Sequence, residues 1–309
     1  MTDAAAAPTP AGPGAWMRLL RISNAPTAAT GALVGAVAGT GLMPNPATVA
    51  LCAAGSVLLY SGGMVMNDYF DQPIDRIERP GRPIVSGQVP ESSALLLGMA
   101  LLVSGVVLLI AASAPALPWT LLLASSILAY NLLHRSPTVG PALMACCRSL
   151  VPVIAAVACA PEGRPNWIAL GYFAVPLGLH ALAVSIAARH ETTLDAHERL
   201  RRMTIASAMA GVAVLAPLGA LAMREVPPMP SRCVPMYLAA IMLSGWLLLR
   251  GLRAMAQPGG TPRGVMSWIA AIATVDAASL ALLDAVPFAW IAAGAALLTL
   301  LLQRRIAGS

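Results

Sequence analysis

Asn67, Asp68, Asp71 and Asp75 stand at the end of a long apolar run, in the stretch Asn67-Asp68-Tyr69-Phe70-Asp71-Gln72-Pro73-Ile74-Asp75. Two Arg-Pro pairs follow, in Arg79-Pro80-Gly81-Arg82-Pro83-Ile84-Val85-Ser86-Gly87. Carboxylates at the edge of a membrane span are costly unless they bind something. Asn67, Asp71 and Asp75 are spaced i, i+4, i+8. A helix carried on to Gln72 sets the first two on one face, a turn apart, with Asp68 sharing much of that face. A second set, Glu191, Asp195 and Glu198, is spaced i, i+4, i+7 and makes another helical stripe. Such oxygen donors suit Mg²⁺, which takes one or two carboxylates and completes its shell with water and substrate phosphates. Two carboxylate faces across a cavity would hold ions that bridge a diphosphate and take up its charge as it leaves. The apolar helices behind would house a hydrocarbon tail. The plainer alternative for the first cluster is a solvated interfacial loop whose acids pair with Arg76, Arg79 and Arg82. For the second it is a solvated mixed-charge helix.

The elements that position these residues follow from composition. Of the 309 residues, 58% are hydrophobic and only 10% charged, against about 25% charged in a soluble domain. Apolar runs of membrane-crossing length recur along the chain. The expected fold is therefore all-α, a polytopic membrane bundle of nine or ten transmembrane helices around a central cavity. The candidate spans lie near 24–43, 48–70, 93–113, 116–134, 140–161, 166–189, 203–223, 234–253, 265–284 and 286–303. The last two are either two spans with a tight turn or one span and a re-entrant piece. Residues 1–15 read as a disordered Ala/Pro/Gly-rich tail, and 16–309 as a single membrane domain. The five cysteines have no C-x-x-C spacing and read as core residues.

The cationic residues are all Arg, and 15 of the 19 lie in alternate connections between spans. That pattern sets orientation rather than binding nucleic acid. It places the N-terminus, the Arg-rich connections and both acidic clusters on the cytoplasmic side of the cell membrane. Arg148 falls within the fifth span, where an Arg faces the bundle interior and has a partner. It either borders the diphosphate pocket or pairs structurally, with Asp276 deep in the ninth span as one candidate.

Asn67-Asp68-x-x-Asp71-x-x-x-Asp75 with Arg79-Pro-x-Arg82-Pro-Ile-x-Ser86-Gly87 resembles the first signature of the UbiA-type intramembrane prenyltransferases. Glu191-x-x-x-Asp195 is similar to the family's second signature, D-x-x-x-D, with Glu in place of the first Asp. Tyr130 to Arg135 resembles its Y-x-x-x-K-R element, with His134 where the family has Lys. Arg21-x-x-Asn24 looks like its opening Arg/Asn element. The doubled last span and Met144-x-x-Cys147-Arg148 look similar to an Ebo-cluster branch. The resemblance implies that Asn67, Asp71 and Asp75 ligate one Mg²⁺, and Glu191 and Asp195 a second. Asp68 stands beside the first metal set on the helical spacing. Asp71, Asp75 and Asp195 are then the catalytic carboxylates. Arg21, Asn24, Arg82, Tyr130, His134, Arg135 and Arg148 are the expected substrate-binding residues.

The expected activity is transfer of a prenyl group from a prenyl diphosphate to a lipophilic, commonly aromatic, acceptor. Two other readings stay open. One is a membrane terpene cyclase using the same ionisation. The other is a non-catalytic isoprenoid-lipid binding or transport protein, which the departures at Glu191 and His134 keep in view.

Overall fold

The computed structural model describes residues 12–41, 43–189 and 196–306. Among them all regular structure is helical: α1 (Pro13–Leu19), α2 (Pro26–Thr40), α3 (Pro46–Phe70), α4 (Gln72–Glu78), α5 (Glu91–Ala112), α6 (Leu117–Leu133), α7 (Val139–Cys159), α8 (Trp167–Ala188), α9 (Ala196–Leu215), α10 (Pro217–Ala222), α11 (Val234–Met255), α12 (Thr261–Leu282) and α13 (Val286–Arg305), with short 3₁₀ turns between some of them. α1 begins inside the segment expected to be a tail. Proline stands in the first turn of most of these helices, where its fixed φ helps and its missing N–H costs nothing.

Eight helices among the described residues are long and apolar enough to cross a bilayer, fewer than the nine or ten expected. The other two expected spans fall short for different reasons. α2 has 15 residues, roughly 22 Å at 1.5 Å per residue, against a hydrocarbon core of ~30 Å. The span expected at 203–223 is interrupted at Ala216, where Pro217 starts α10, because proline cannot donate to the preceding turn. The last two spans are separate helices. Residues 283–285 make the turn between them, with Asp284 at φ 58°.

α2 and α12 form the centre of the bundle. α2 packs against α3, α7, α8, α12 and α13, and α12 is buried along most of its length. Small residues make that closeness possible. A Cβ on Gly35 would fall onto the backbone of Pro152 in α7, so α2 and α7 meet there backbone to backbone. α3 and α5 meet the same way: a Cβ on Gly55 would lie 3.1 Å from the Gly105 carbonyl oxygen, and one on Gly105 3.0 Å from that of Gly55. This is the close approach that small residues give membrane helices. Gly35→Ala is expected to lower stability by about 1–3 kcal/mol through overpacking, read as a fall in thermal midpoint in detergent. Gly171→Ala, where a Cβ meets nothing within 4 Å, should leave the midpoint unchanged or raise it.

Candidate active site

The first acidic motif sits on a continuation of α3. α3 ends at Phe70, but Asp71 keeps a helical backbone at φ −83°, ψ −2°. Its N–H donates to the Asn67 carbonyl at 3.0 Å, and the Asp75 N–H donates to the Asp71 carbonyl at 2.9 Å. Pro73 has no N–H to give to Tyr69. The Gln72 side chain supplies that bond instead, donating from Nε2 to the Tyr69 carbonyl at 3.1 Å. The i, i+4, i+8 geometry therefore survives the proline, with a break at Asp71 rather than an uninterrupted helix.

Beyond α4 the chain doubles back through turns in which the Arg82 N–H donates to Arg79 and the Ser86 N–H to Arg82, with Gly87 at φ 72°. The return brings Arg82 under the motif. Its Nη1 donates to Asp68 Oδ1 at 2.9 Å and to Asp75 Oδ2 at 2.6 Å, and the Arg82 side chain is only 5% exposed. Arg21 adds a bond to Asp68 Oδ1 at 3.3 Å. It sits in the break between α1 and α2 at φ 50°, a backbone region that non-glycine residues seldom occupy. Burial pushes the Asp75 carboxyl above the usual carboxylate range, although the Arg82 guanidinium pulls it down.

Asp71 also reaches the end of α6. Its Oδ1 lies 3.2 Å from His134 Nε2 and 3.3 Å from Arg135 Nη2. His134 Nδ1 lies 3.2 Å from the Asn131 backbone carbonyl oxygen. A carbonyl and a carboxylate both accept, so a ring with protons on both nitrogens satisfies the two contacts at once. His134 thus stands between two acceptor oxygens where the resemblance expects a Lys. Arg189 at the end of α8 donates to the backbone carbonyls of His134 and Arg135. These contacts gather the start of α2, the α3–α5 connection, the end of α6 and the end of α8 at one end of the bundle.

The expected site residues divide into groups. Asp68, Asp71, Asp75, Arg21, Arg82, His134 and Arg135 come together. Asn67 lies beside them, and its amide nitrogen is buried with no hydrogen-bond partner among the described residues. Tyr130 and Arg148 line an apolar cavity below, with Tyr60 and Asn131, partly open to the outside. Arg148 is not paired directly with Asp276. It donates to the Thr27 carbonyl at 3.1 Å and to Thr27 Oγ1 at 3.2 Å, and its guanidinium stacks on Tyr60 at 5.4 Å. Asp276 instead accepts from Thr30 at 2.6 Å. Asn24 points toward the far helices, accepting from Gln303 at 3.0 Å and lying 3.8 Å from the Met266 sulfur. Glu191 and Asp195 lie outside the described residues. Arg189 and Asn131 were not anticipated. Arg189 looked like an orientation charge. Asn131 is a polar residue inside an apolar run, and that alone marks it for attention.

No three His, Cys, Asp or Glu side chains among the described residues converge tightly enough to hold a metal by themselves. The donor set nevertheless suits Mg²⁺. It consists of hard oxygen ligands, and Asp68 Oδ2 is buried without a partner. Mg²⁺ is commonly held by one or two carboxylates together with substrate phosphates rather than by a closed protein cage.

A model of the UbiA prenyltransferase family matches residues 28–263. A digeranylgeranylglyceryl phosphate synthase of Thermococcus sibiricus is 31% identical over 163 residues, 52% of this chain and 58% of that protein. The same-named protein of Natronomonas pharaonis is 36% identical over 135 residues, 42% of this chain and 47% of its own length. The chain thus spans about half the length of these curated relatives. In three dimensions it is similar to a UbiA homolog from Aeropyrum pernix K1, with a TM-score of 0.61 at 19% identity, covering 83% of this chain and 95% of that one. It is also similar to a UbiA homolog from Archaeoglobus fulgidus bound to DMAPP and Mg²⁺, with a TM-score of 0.54 at 13% identity, covering 83% and 98%. At such identities the structural likeness is one of fold.

Proposed function

The chain belongs to the UbiA prenyltransferase family, and from that premise we propose that it is a Mg²⁺-dependent intramembrane prenyltransferase. It would move a prenyl group from a prenyl diphosphate to a lipophilic acceptor. One observation carries the reading: acids and cations from four segments gather at one end of the bundle, directly above an apolar cavity. Asn67, Asp71 and Asp75, with Asp68 beside them, would hold one metal, and Glu191 and Asp195 the second. Bound there, Mg²⁺ supplies positive charge against the departing diphosphate.

The chain's own residues do the rest. Arg21, His134 and Arg135 present cationic N–H donors around the diphosphate position, where bidentate and charge-assisted bonds orient it. Arg82 holds Asp68 and Asp75 in place. The cavity below takes the prenyl chain and keeps water from its allylic end. The positive-inside pattern orients the polar end toward the cytoplasm, so the N-terminus is cytoplasmic. The A. fulgidus neighbour bound to DMAPP and Mg²⁺ supports the donor and the ion. The relatives' name makes a glyceryl phosphate lipid the first acceptor to try and an aromatic one the second.

The test is incubation of membranes containing the chain with Mg²⁺ and labelled dimethylallyl, geranyl, farnesyl and geranylgeranyl diphosphates. Mg²⁺-dependent diphosphate release with a prenylated product by mass supports the proposal. Absence of release with every donor overturns it, and release giving only cyclised hydrocarbon without acceptor indicates a cyclase. Within this reading His134 serves as a cation. His134→Lys should keep the rate within about threefold, whereas His134→Phe should lose ~10–100-fold, on the scale of losing one charge-assisted bond. Initial rates at saturating donor decide this, and a fully active His134→Phe would show that no charge is needed there.

A further inference from the structure

The α3–α6 interface has a register that can be read from two contacts. A Cβ on Gly63 would lie 2.9 Å from Ile127 Cγ2, so these positions touch. Eight residues further along, just past the ends of both helices, Asp71 meets Arg135 at 3.3 Å. Each pair is separated by 64 positions. α3 and α6 therefore run side by side in the same direction. Midway between the two contacts, the same separation sets Asn67 opposite Asn131.

Both of these amides are incomplete. Asn131 is 3% exposed, and within the described residues neither its amide nitrogen nor its amide oxygen has a hydrogen-bond partner. Asn67 Nδ2 is buried and equally unpartnered. Buried polar atoms without partners each cost ~1–3 kcal/mol, and a leucine would fill the end of an apolar helix without that cost. Asn131 also lines the apolar cavity. It lies one turn below the Asp71–His134 contact, at the boundary between the polar end and the space for a hydrocarbon tail.

A prenyl diphosphate has one group that belongs at such a boundary, the ester oxygen joining its anionic head to the allylic carbon. We propose that Asn131, with Asn67 opposite it, grips this scissile bond. The inference rests on the prenyltransferase reading above and adds a catalytic residue to it. The Asn131 N–H donates to the ester oxygen, and Asn67 Nδ2 approaches from the other helix. The Asn131 amide oxygen lies beside the allylic carbon. When the C–O bond breaks, its electron pair leaves with the diphosphate. The N–H donors then face growing negative charge, and the amide oxygen faces the positive charge on the carbon. The cation next bonds to the acceptor's nucleophile, whose proton passes to solvent or to the released diphosphate. Both halves of the amide thus bind more tightly as the bond breaks, which is the condition for accelerating it. Both ends of the amide are engaged, whereas a diphosphate oxygen alone would satisfy only the N–H half.

The experiment compares wild type with Asn131→Leu, and with Asn131→Ser should the Leu variant fail to fold. Two quantities are measured. One is Mg²⁺-dependent diphosphate release from geranyl diphosphate with a glyceryl phosphate lipid or an aromatic acceptor present at saturation. The other is binding of geranyl thiolodiphosphate, which ionises far more slowly. The expected result is release slowed about 10²–10³-fold, the range for loss of a donor that acts on developing charge, with analogue binding within about threefold. Release at the wild-type rate overturns the proposal. If transfer to added acceptor then requires more acceptor, Asn131 belongs to the acceptor site instead. Loss of analogue binding in proportion to the rate also overturns it, since the residue would then only hold the ground state. Release by the wild type with an unaffected variant sinks this inference alone; no release by the wild type sinks the functional reading and this with it.

Discussion

Asp71→Ala is expected to cut Mg²⁺-dependent diphosphate release by about 10³-fold. The metal's charge stabilisation is worth several kcal/mol, and each ~1.36 kcal/mol is a factor of ten. Asp71 carries more of the site than its neighbours because of where it lies. It sits at the break between α3 and α4, and its carboxylate is the junction between the first acidic motif and the end of α6, through His134 and Arg135. On the proposed reading, removing it takes away a metal ligand, and it leaves His134 and Arg135 without their shared carboxylate. Rates with saturating geranyl diphosphate over a Mg²⁺ titration test this. A defect that high Mg²⁺ restores fully would make Asp71 a contributor to affinity only, and an unchanged rate would remove it from the site.

Arg82→Leu should act on the fold of the polar end. Arg82 is 5% exposed and joins two buried carboxylates through one nitrogen, Asp68 at 2.9 Å and Asp75 at 2.6 Å. Such a pair gains little over apolar packing when both partners are present, yet removing one partner leaves uncompensated buried charge and costs about 3–5 kcal/mol. Denaturant unfolding in detergent should show that loss. The triple change Arg82→Leu, Asp68→Asn and Asp75→Asn should recover a large part of it, since neutral amides no longer need the guanidinium. If Arg82→Leu unfolds at the wild-type midpoint, the ion pairs have no structural weight and Arg82 is free to serve substrate alone.

Much of the polar end was legible because its residues are close in sequence and sit where membrane physics makes them expensive. The Asn67 to Asp75 spacing is helical, and the structure keeps it helical through Asp71. The partners were less legible. Arg76, Arg79 and Arg82 are equivalent in composition, and only the turns at 79–87 decide that Arg82 returns to the acids. Arg148 and Asp276 looked like mutual partners as charges within apolar spans. Instead two α2 threonines stand between them, Thr27 on Arg148 and Thr30 on Asp276. In the sequence Asn131 is marked only as one polar residue in an apolar run. Its meaning appears only when the register with α3 sets it opposite Asn67.

The sequence by itself determined the class of molecule. Apolar runs of bilayer length force helices, since backbone groups in lipid must bond within their own segment, and the Arg distribution sets their ends. It also determined the chemistry of the first motif, because helical spacing alone aligns Asn67 and Asp71. What only the tertiary structure decided is which groups from different segments face one another: Asp71 and His134, Asp68 and Arg82, Arg148 and Thr27. Those choices depend on helix register, on backbone approaches as close as Gly35 on Pro152, and on the turns that return Arg82. They also limited the count of full-length spans among the described residues, since α2 is too short and Pro217 divides the seventh expected span. Hydropathy averages over such details, whereas packing and hydrogen bonding depend on single atoms.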